Sequence, residues 1–156
     1  MILDQDKSNC EQLIRFEGKL NGNQAKILID SGASRNYLDA QFAQDSHIIV
    51  DSQAATHPSI ELADSTTSHC SGQAQDIVVE LQTYQAKKQA FDVLKLSKYD
   101  AILGKPWLWD ANPTIDWRKN QVKIRQHLLQ GTQLANPSEE VNTLTPAVAI
   151  LALLAQ

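Results

Sequence analysis

The segment Ile27-Leu28-Ile29-Asp30-Ser31-Gly32-Ala33-Ser34 narrows the possible folds more than any other part of this chain. Three consecutive apolar residues leave no polar face, so a strand here must be buried on both sides. That strand runs straight into a carboxylate, which is costly to bury unless something stabilises it. The next residues supply the means. Gly32 permits a tight turn with an accessible backbone N–H, and the Ser31 hydroxyl can hydrogen-bond a neighbouring backbone. Taken alone, Asp-Ser-Gly also suits an Asx-type turn at a strand end, and the triplet does not choose between that and a site.

The surroundings have a β rhythm. Ile14, Phe16 and Leu20 fall on one face of a period-2 pattern, opposite Arg15, Glu17 and Lys19. Asn21-Gly22 then predicts a two-residue hairpin turn returning through Ala25 to Ile29. Tyr37 to Ala43 suits a short helix or a helix-like corner, and Ile48-Ile49-Val50 a short strand. Ser59 to Ala63, a polar tip, and a return through Cys70 and Gly72 suggest a longer hairpin. Ile77, Val79 and Leu81 alternate in a further strand, and Phe91 to Leu94 continues the pattern. Tyr99-Asp100-Ala101-Ile102-Leu103-Gly104 is an apolar strand stopped by glycine, and Pro106 opens a short helix carrying Trp107, Leu108 and Trp109. Thr114 to Trp117 and Val122 to Ile124 close with a hairpin.

After Arg125 the pattern dissolves into linker-like sequence, including Asn136-Pro137. The reading therefore divides the chain into a lead-in, residues 1–12, a folded domain, 13–125, and a linker or tail, 126–156. Leu144 to Ala155 is apolar but shorter than the roughly 20 residues a membrane span needs. The start, Met1-Ile2-Leu3-Asp4, does not read as a signal peptide.

Formal net charge is −4, with no basic stripe of the kind a phosphate backbone attracts, so nucleic acid is not an expected direct partner; nor is a membrane. Two cysteines, Cys10 and Cys70, are too few to staple a small secreted scaffold, which makes an intracellular, cytoplasmic setting the expectation. His47, His57, His69 and His127 have no metal-ligand spacing, so neither metal nor cofactor is expected. Ser31 and Ser34 lack a nucleophile elbow. A phosphoryl-accepting aspartate wants a second acid two residues on, where this chain has Gly32. Asp116 falls before a hairpin turn and reads as exposed. Trp107, Trp109 and Trp117 read as core.

The Asp30 segment, the run Tyr99 to Leu108 and the stretch Asn112-Pro113-Thr114-Ile115-Asp116-Trp117 together resemble retroviral-type aspartic proteases (retropepsins), above all those of Ty3/gypsy-class retrotransposon polyproteins. The resemblance covers Leu13 to about Arg125. It implies an all-β fold, a small closed barrel or sandwich with one short helix, working as a homodimer. It implies Asp30 as the catalytic carboxylate, in a loop with Ser31, Gly32, Ala33 and Ser34. Ser31 would hydrogen-bond across the subunit boundary. Ile102, Leu103 and Gly104 would support the loop from behind, and Ala63, Asp64, Ser65, Thr66 and Thr67 would form the flap over a polypeptide substrate, such as the chain's own polyprotein. Ile48, Ile49, Ile60, Leu62 and Ile102 are candidates for apolar cleft walls.

The chain holds a single Asp-x-Gly triplet. Peptide hydrolysis of this type needs two carboxylates on one water, so the second must come from another copy across a twofold axis. One departure bears on activity. Flaps of this family usually carry glycine near the tip, whereas residues 63–67 contain none. Two functions follow as expectations: an aspartic endopeptidase, or a catalytically silent relative serving as a dimerisation or peptide-binding module.

Overall fold

The structure, a computed structural model, describes residues 13–54, 59–61 and 67–132. The chain opens with β1 (Ile14–Leu20) and β2 (Asn23–Ile29), an antiparallel hairpin in which Leu20 faces Asn23. Both loop residues have positive φ, 50° at Asn21 and 83° at Gly22, the backbone a primed two-residue turn requires. Asn21 also ties the tip to the neighbouring strand: its amide oxygen accepts from Val78 N–H at 2.8 Å. β1 buries alternate residues, whereas Ile27, Leu28 and Ile29 of β2 are all at most 2% exposed.

After the Asp30 loop come β3 (Tyr37–Asp39) and α1 (Ala40–Asp45). The Asp39 carboxylate caps α1 by accepting from Phe42 N–H, and its other oxygen accepts from Leu96 N–H. A 3-10 turn at Ser52–Ala54 leads to a small hairpin of β4 (Ser59–Glu61) and β5 (Thr67–His69). The long strands β6 (Gly72–Leu81) and β7 (Tyr84–Leu94) pair next, with register shifts around Ile77. The chain continues through β8 (Ala101–Leu103), α2 (Lys105–Ala111), β9 (Thr114–Asp116), β10 (Gln121–Ile124) and β11 (His127–Gln130).

Six strands close into a barrel in the order β1-β2-β8-β3-β7-β6. Its interior is filled by Phe16, Ile27, Leu38, Ile77, Leu81, Phe91 and Trp107 among others. A second cluster, Leu28, Ala33, Tyr37, Leu94 and Ile102, packs on the other side of β2 and β8. The key topological fact concerns β8. It pairs in parallel with β2 through Ile27–Ile29 and antiparallel with β3 through Tyr37 and Leu38. The loop joining β2 to β3 therefore has both arms seated on one strand.

Four sequence expectations need correction. Ile48 to Val50 forms no strand; Ile49 is 87% exposed, and among the described residues the pairing nearby is the single bridge of Asp51 to Gln73. Trp107 is core, but Trp109 is 86% exposed and Trp117 50% exposed. Helical spacing explains the first contrast: Trp107 and Ala111 share the buried face of α2, and Trp109, two residues on, points away. Trp117 lies in the β9–β10 turn. Ordered structure also passes Arg125, because β11 adds a third strand to the β9–β10 sheet. Only Leu129 of β11 is buried, so alternation there is too brief to read. Its anchors are instead polar: the Gln82 side chain donates to Gln130 O and accepts from Gln130 N–H, mimicking a strand neighbour.

Candidate active site

Asp30 lies at the end of β2, 8% exposed, where the strand's backbone hands over to a tight turn. Its own N–H donates to Leu103 O at 3.0 Å, continuing the β2–β8 ladder by one step. Its carbonyl accepts from Ala33 N–H at 3.1 Å, closing the turn. The carboxylate oxygen Oδ1 accepts from Gly32 N–H at 2.8 Å. The apolar strand and the Asp-Ser-Gly turn are thus one device: burial by β2 and β8 withdraws water from the acid, and the turn supplies a donor in return.

These two influences oppose each other. Removal from water raises the Asp30 pKa above the usual 3.8, and the Gly32 hydrogen bond, the lesser effect, pulls it down. The net direction is upward. An acid that holds its proton more tightly than usual, at the mouth of a loop, suits a group that must alternate between acid and base.

The loop's remaining residues separate cleanly. Ser31, Gly32 and Ser34 are exposed, whereas Ala33 is buried. Ala33 O accepts from Lys105 N–H at 2.9 Å, so the loop is held from below at Asp30, Ala33 and Asn36. The seat is Ile102, Leu103 and Gly104, all buried. Gly104 is there for close approach: a Cβ would lie 2.2 Å from Arg35 O and 2.6 Å from Ala33 O. Ile102 packs behind the loop, in the cluster with Leu28 and Ala33, rather than lining a cleft. Ile49 is exposed, Ile48 packs against the barrel core, and the side chains of Ile60 and Leu62 lie outside the described residues. Residues 63–66 of the expected flap also lie outside them, and Thr67 begins β5. Asp116, the rival carboxylate, is exposed and accepts from the N–H groups of Arg118 and Lys119, the work of a turn residue.

Two features of the site had no signal in the sequence. The Arg35 guanidinium pairs with Asp92, which is 1% exposed and accepts also from Gln73 at 3.1 Å. Asn36, 1% exposed, gives its amide oxygen to Gly104 N–H at 2.9 Å. Each partner lies more than fifty residues away in the chain, beyond the reach of local pattern. Among the described residues no cluster of His, Cys, Asp and Glu could hold a metal ion.

A small closed barrel in which an Asp-Ser-Gly turn is seated on the strand ending Ile-Leu-Gly defines a retroviral-type aspartic protease fold. Solved structures agree. The chain is similar to the retroviral protease-like domain of Ddi1 from Leishmania major, with TM-score 0.65 and 18% identity over 80% of this chain and 97% of that one. It is also similar to the EIAV protease complexed with the inhibitor HBY-793, with TM-score 0.53 and 15% identity over 69% of this chain and 96% of that one. The family model of the PEG10/RTL1 protease domain matches residues 26–132, well over half of the chain, and the chain belongs to that retropepsin-like, Ty3/gypsy-derived family.

Proposed function

We propose that this chain is an aspartic endopeptidase that works as a homodimer, two Asp30 carboxylates holding one water between them. The observation that carries the reading is Asp30 itself: a nearly buried acid with a raised pKa, at the start of a turn whose next residues Ser31 and Gly32 stay exposed for a partner. Each chain has one such triplet, so the site is complete only with a second copy.

Two carboxylates about 3 Å apart cannot both ionise, so the pair shares a proton and titrates in two separated steps. The ionised member takes a proton from the water as that oxygen attacks the scissile carbonyl carbon. The protonated member gives its proton to the carbonyl oxygen. The resulting gem-diol collapses: one of its hydroxyls returns a proton to the now ionised member, the C–N bond breaks, and the nitrogen leaves with the proton the other member took from the water. No acyl-enzyme forms. Substrate would lie extended beneath the β4–β5 hairpin, with residues 63–67 as its flap, pairing through backbone hydrogen bonds. The chain's own polyprotein, in the cytoplasm, is the natural substrate on this reading.

A second reading has one observation in its favour. The tip at residues 63–67 has no glycine, which stiffens a flap that must open. A silent module would still dimerise and bind peptide.

The test is direct. The purified chain is sized in solution and offered an apolar peptide library with and without a statine-type transition-state mimic. Cleavage that is bell-shaped in pH, blocked by the mimic and abolished by Asp30→Asn is the expected result. Cleavage surviving Asp30→Asn, or cleavage by a strict monomer, refutes the reading; a dimer that binds without cutting establishes the silent module.

A further inference from the structure

The active-site loop is held from below by a hydrogen-bond chain that reaches the far end of α2. Gly104 N–H donates to Asn36 Oδ1 at 2.9 Å. The Asn36 amide nitrogen donates to Gln89 Oε1 at 3.3 Å and to Ala90 O at 3.2 Å. The Gln89 amide nitrogen donates to Asp110 Oδ2 at 3.2 Å. Every link runs donor to acceptor in the same sense, so the amide dipoles reinforce one another and end on a carboxylate. Asn36 and Gln89 are 1% and 8% exposed, which makes any reversed amide costly: Asn36 turned over would set its NH2 against the Gly104 N–H.

Asp110 occupies an unfavourable place for an acid. It is the second-last residue of α2, where a helix's partial negative charge repels carboxylates. Its value to the fold lies in the bond to Gln89. At the other end, Gly104 is wedged under the carbonyls of Ala33 and Arg35, so its position sets the height of the loop that carries Asp30.

We propose that Asn36 is a positioning residue for the catalytic loop, and that Asp110, through Gln89, locks its amide in the orientation that holds Gly104 under the loop. Its effect on turnover rests on the protease reading; its effect on the loop does not, and the experiment separates the two.

Backbone amide hydrogen exchange is measured residue by residue in the full chain, in wild type, Asn36→Ala and Asp110→Ala. Loss of a buried acceptor speeds Gly104 exchange about tenfold in Asn36→Ala. Asp110→Ala speeds it about threefold while leaving melting temperature unchanged or higher, since the helix end is relieved of an acid. A purely structural role for Asp110 in α2 gives the opposite pairing. Gly104 exchange unchanged in Asp110→Ala overturns the proposal, and this exposed-site variant decides the matter even where Asn36→Ala fails to fold. If wild type cleaves peptides, kcat falls about 10- to 100-fold in Asn36→Ala with KM within a factor of about three. A KM effect alone overturns the positioning role. If wild type does not cleave, the protease reading fails and the exchange result still stands or falls on its own.

Discussion

Replacing Gly104 by alanine adds one methyl group at the tightest point beneath the active-site loop. The new Cβ would lie 2.2 Å from Arg35 O, 2.6 Å from Ala33 O and 2.9 Å from the Arg35 carbonyl carbon. Real Cβ contacts essentially never fall under 3.0 Å, so the backbone must part by at least about 0.8 Å at Arg35. All three obstructing atoms are backbone, so no side-chain rotation relieves the clash. The shift strains Lys105 N–H to Ala33 O and Gly104 N–H to Asn36 Oδ1, both 2.9 Å. Forced overpacking costs about 1–3 kcal/mol. For a domain of this size that lowers the melting temperature by roughly 4–15 °C. A catalytic group displaced by about 1 Å loses on the order of 100-fold in rate. Thermal denaturation reads the first effect and peptide cleavage the second. A Gly104→Ala protein that melts within about 1 °C of wild type would refute the close-packing argument, because no tolerated backbone could then hold the described contact.

Two further perturbations test the electrostatics and the core. Because the Asp30 pKa is raised in the folded chain, its protonated form is the one the fold prefers. The associated stability is fully present below the unfolded value of 3.8 and is lost as pH rises through the raised value. Asp30→Asn, which never ionises, is therefore expected to melt higher than wild type at neutral pH, with the gain vanishing below about pH 4. Equal destabilisation at both pH values would contradict it. Trp107→Ala empties the site of a fully buried side chain and should cost about 3–5 kcal/mol, while Trp109→Ser, at a site 86% exposed, should change stability by less than about 0.5 kcal/mol. Urea denaturation of the pair checks both, and similar losses in the two variants would reverse the assignment of the helix faces.

What could be read from the sequence was what local physics decides. Asn21-Gly22 has one economical backbone, and Ile27-Leu28-Ile29 has no polar face to show, so hairpin and buried strand followed at once. The acid at the end of that strand was legible for the same reason: burying it demanded a donor, and Gly32 N–H provides one. Ile48-Ile49-Val50 misled because β-branched apolar residues favour strands only where a partner strand is present. Trp109 misled because residue type says nothing of helix phase until the helix start is known. Asn36, Gln89 and Asp92 stayed hidden for a different reason. Their partners are set by barrel closure, which brings residues more than fifty positions apart into contact.

The double seat of the Asp30 loop on β8 has a consequence for how such a site can fail. A strand of three residues, Ala101–Leu103, is shared between the wall of the barrel and the floor beneath the Asp30 loop. The acid cannot be loosened by fraying a surface turn, since releasing either arm breaks the ring of strands. The Asp30 N–H, held by Leu103 O within that ring, should therefore exchange only in the slowest, whole-domain events. Gly104, one residue past the strand and held by the Asn36 side chain, can instead loosen while the barrel stays closed.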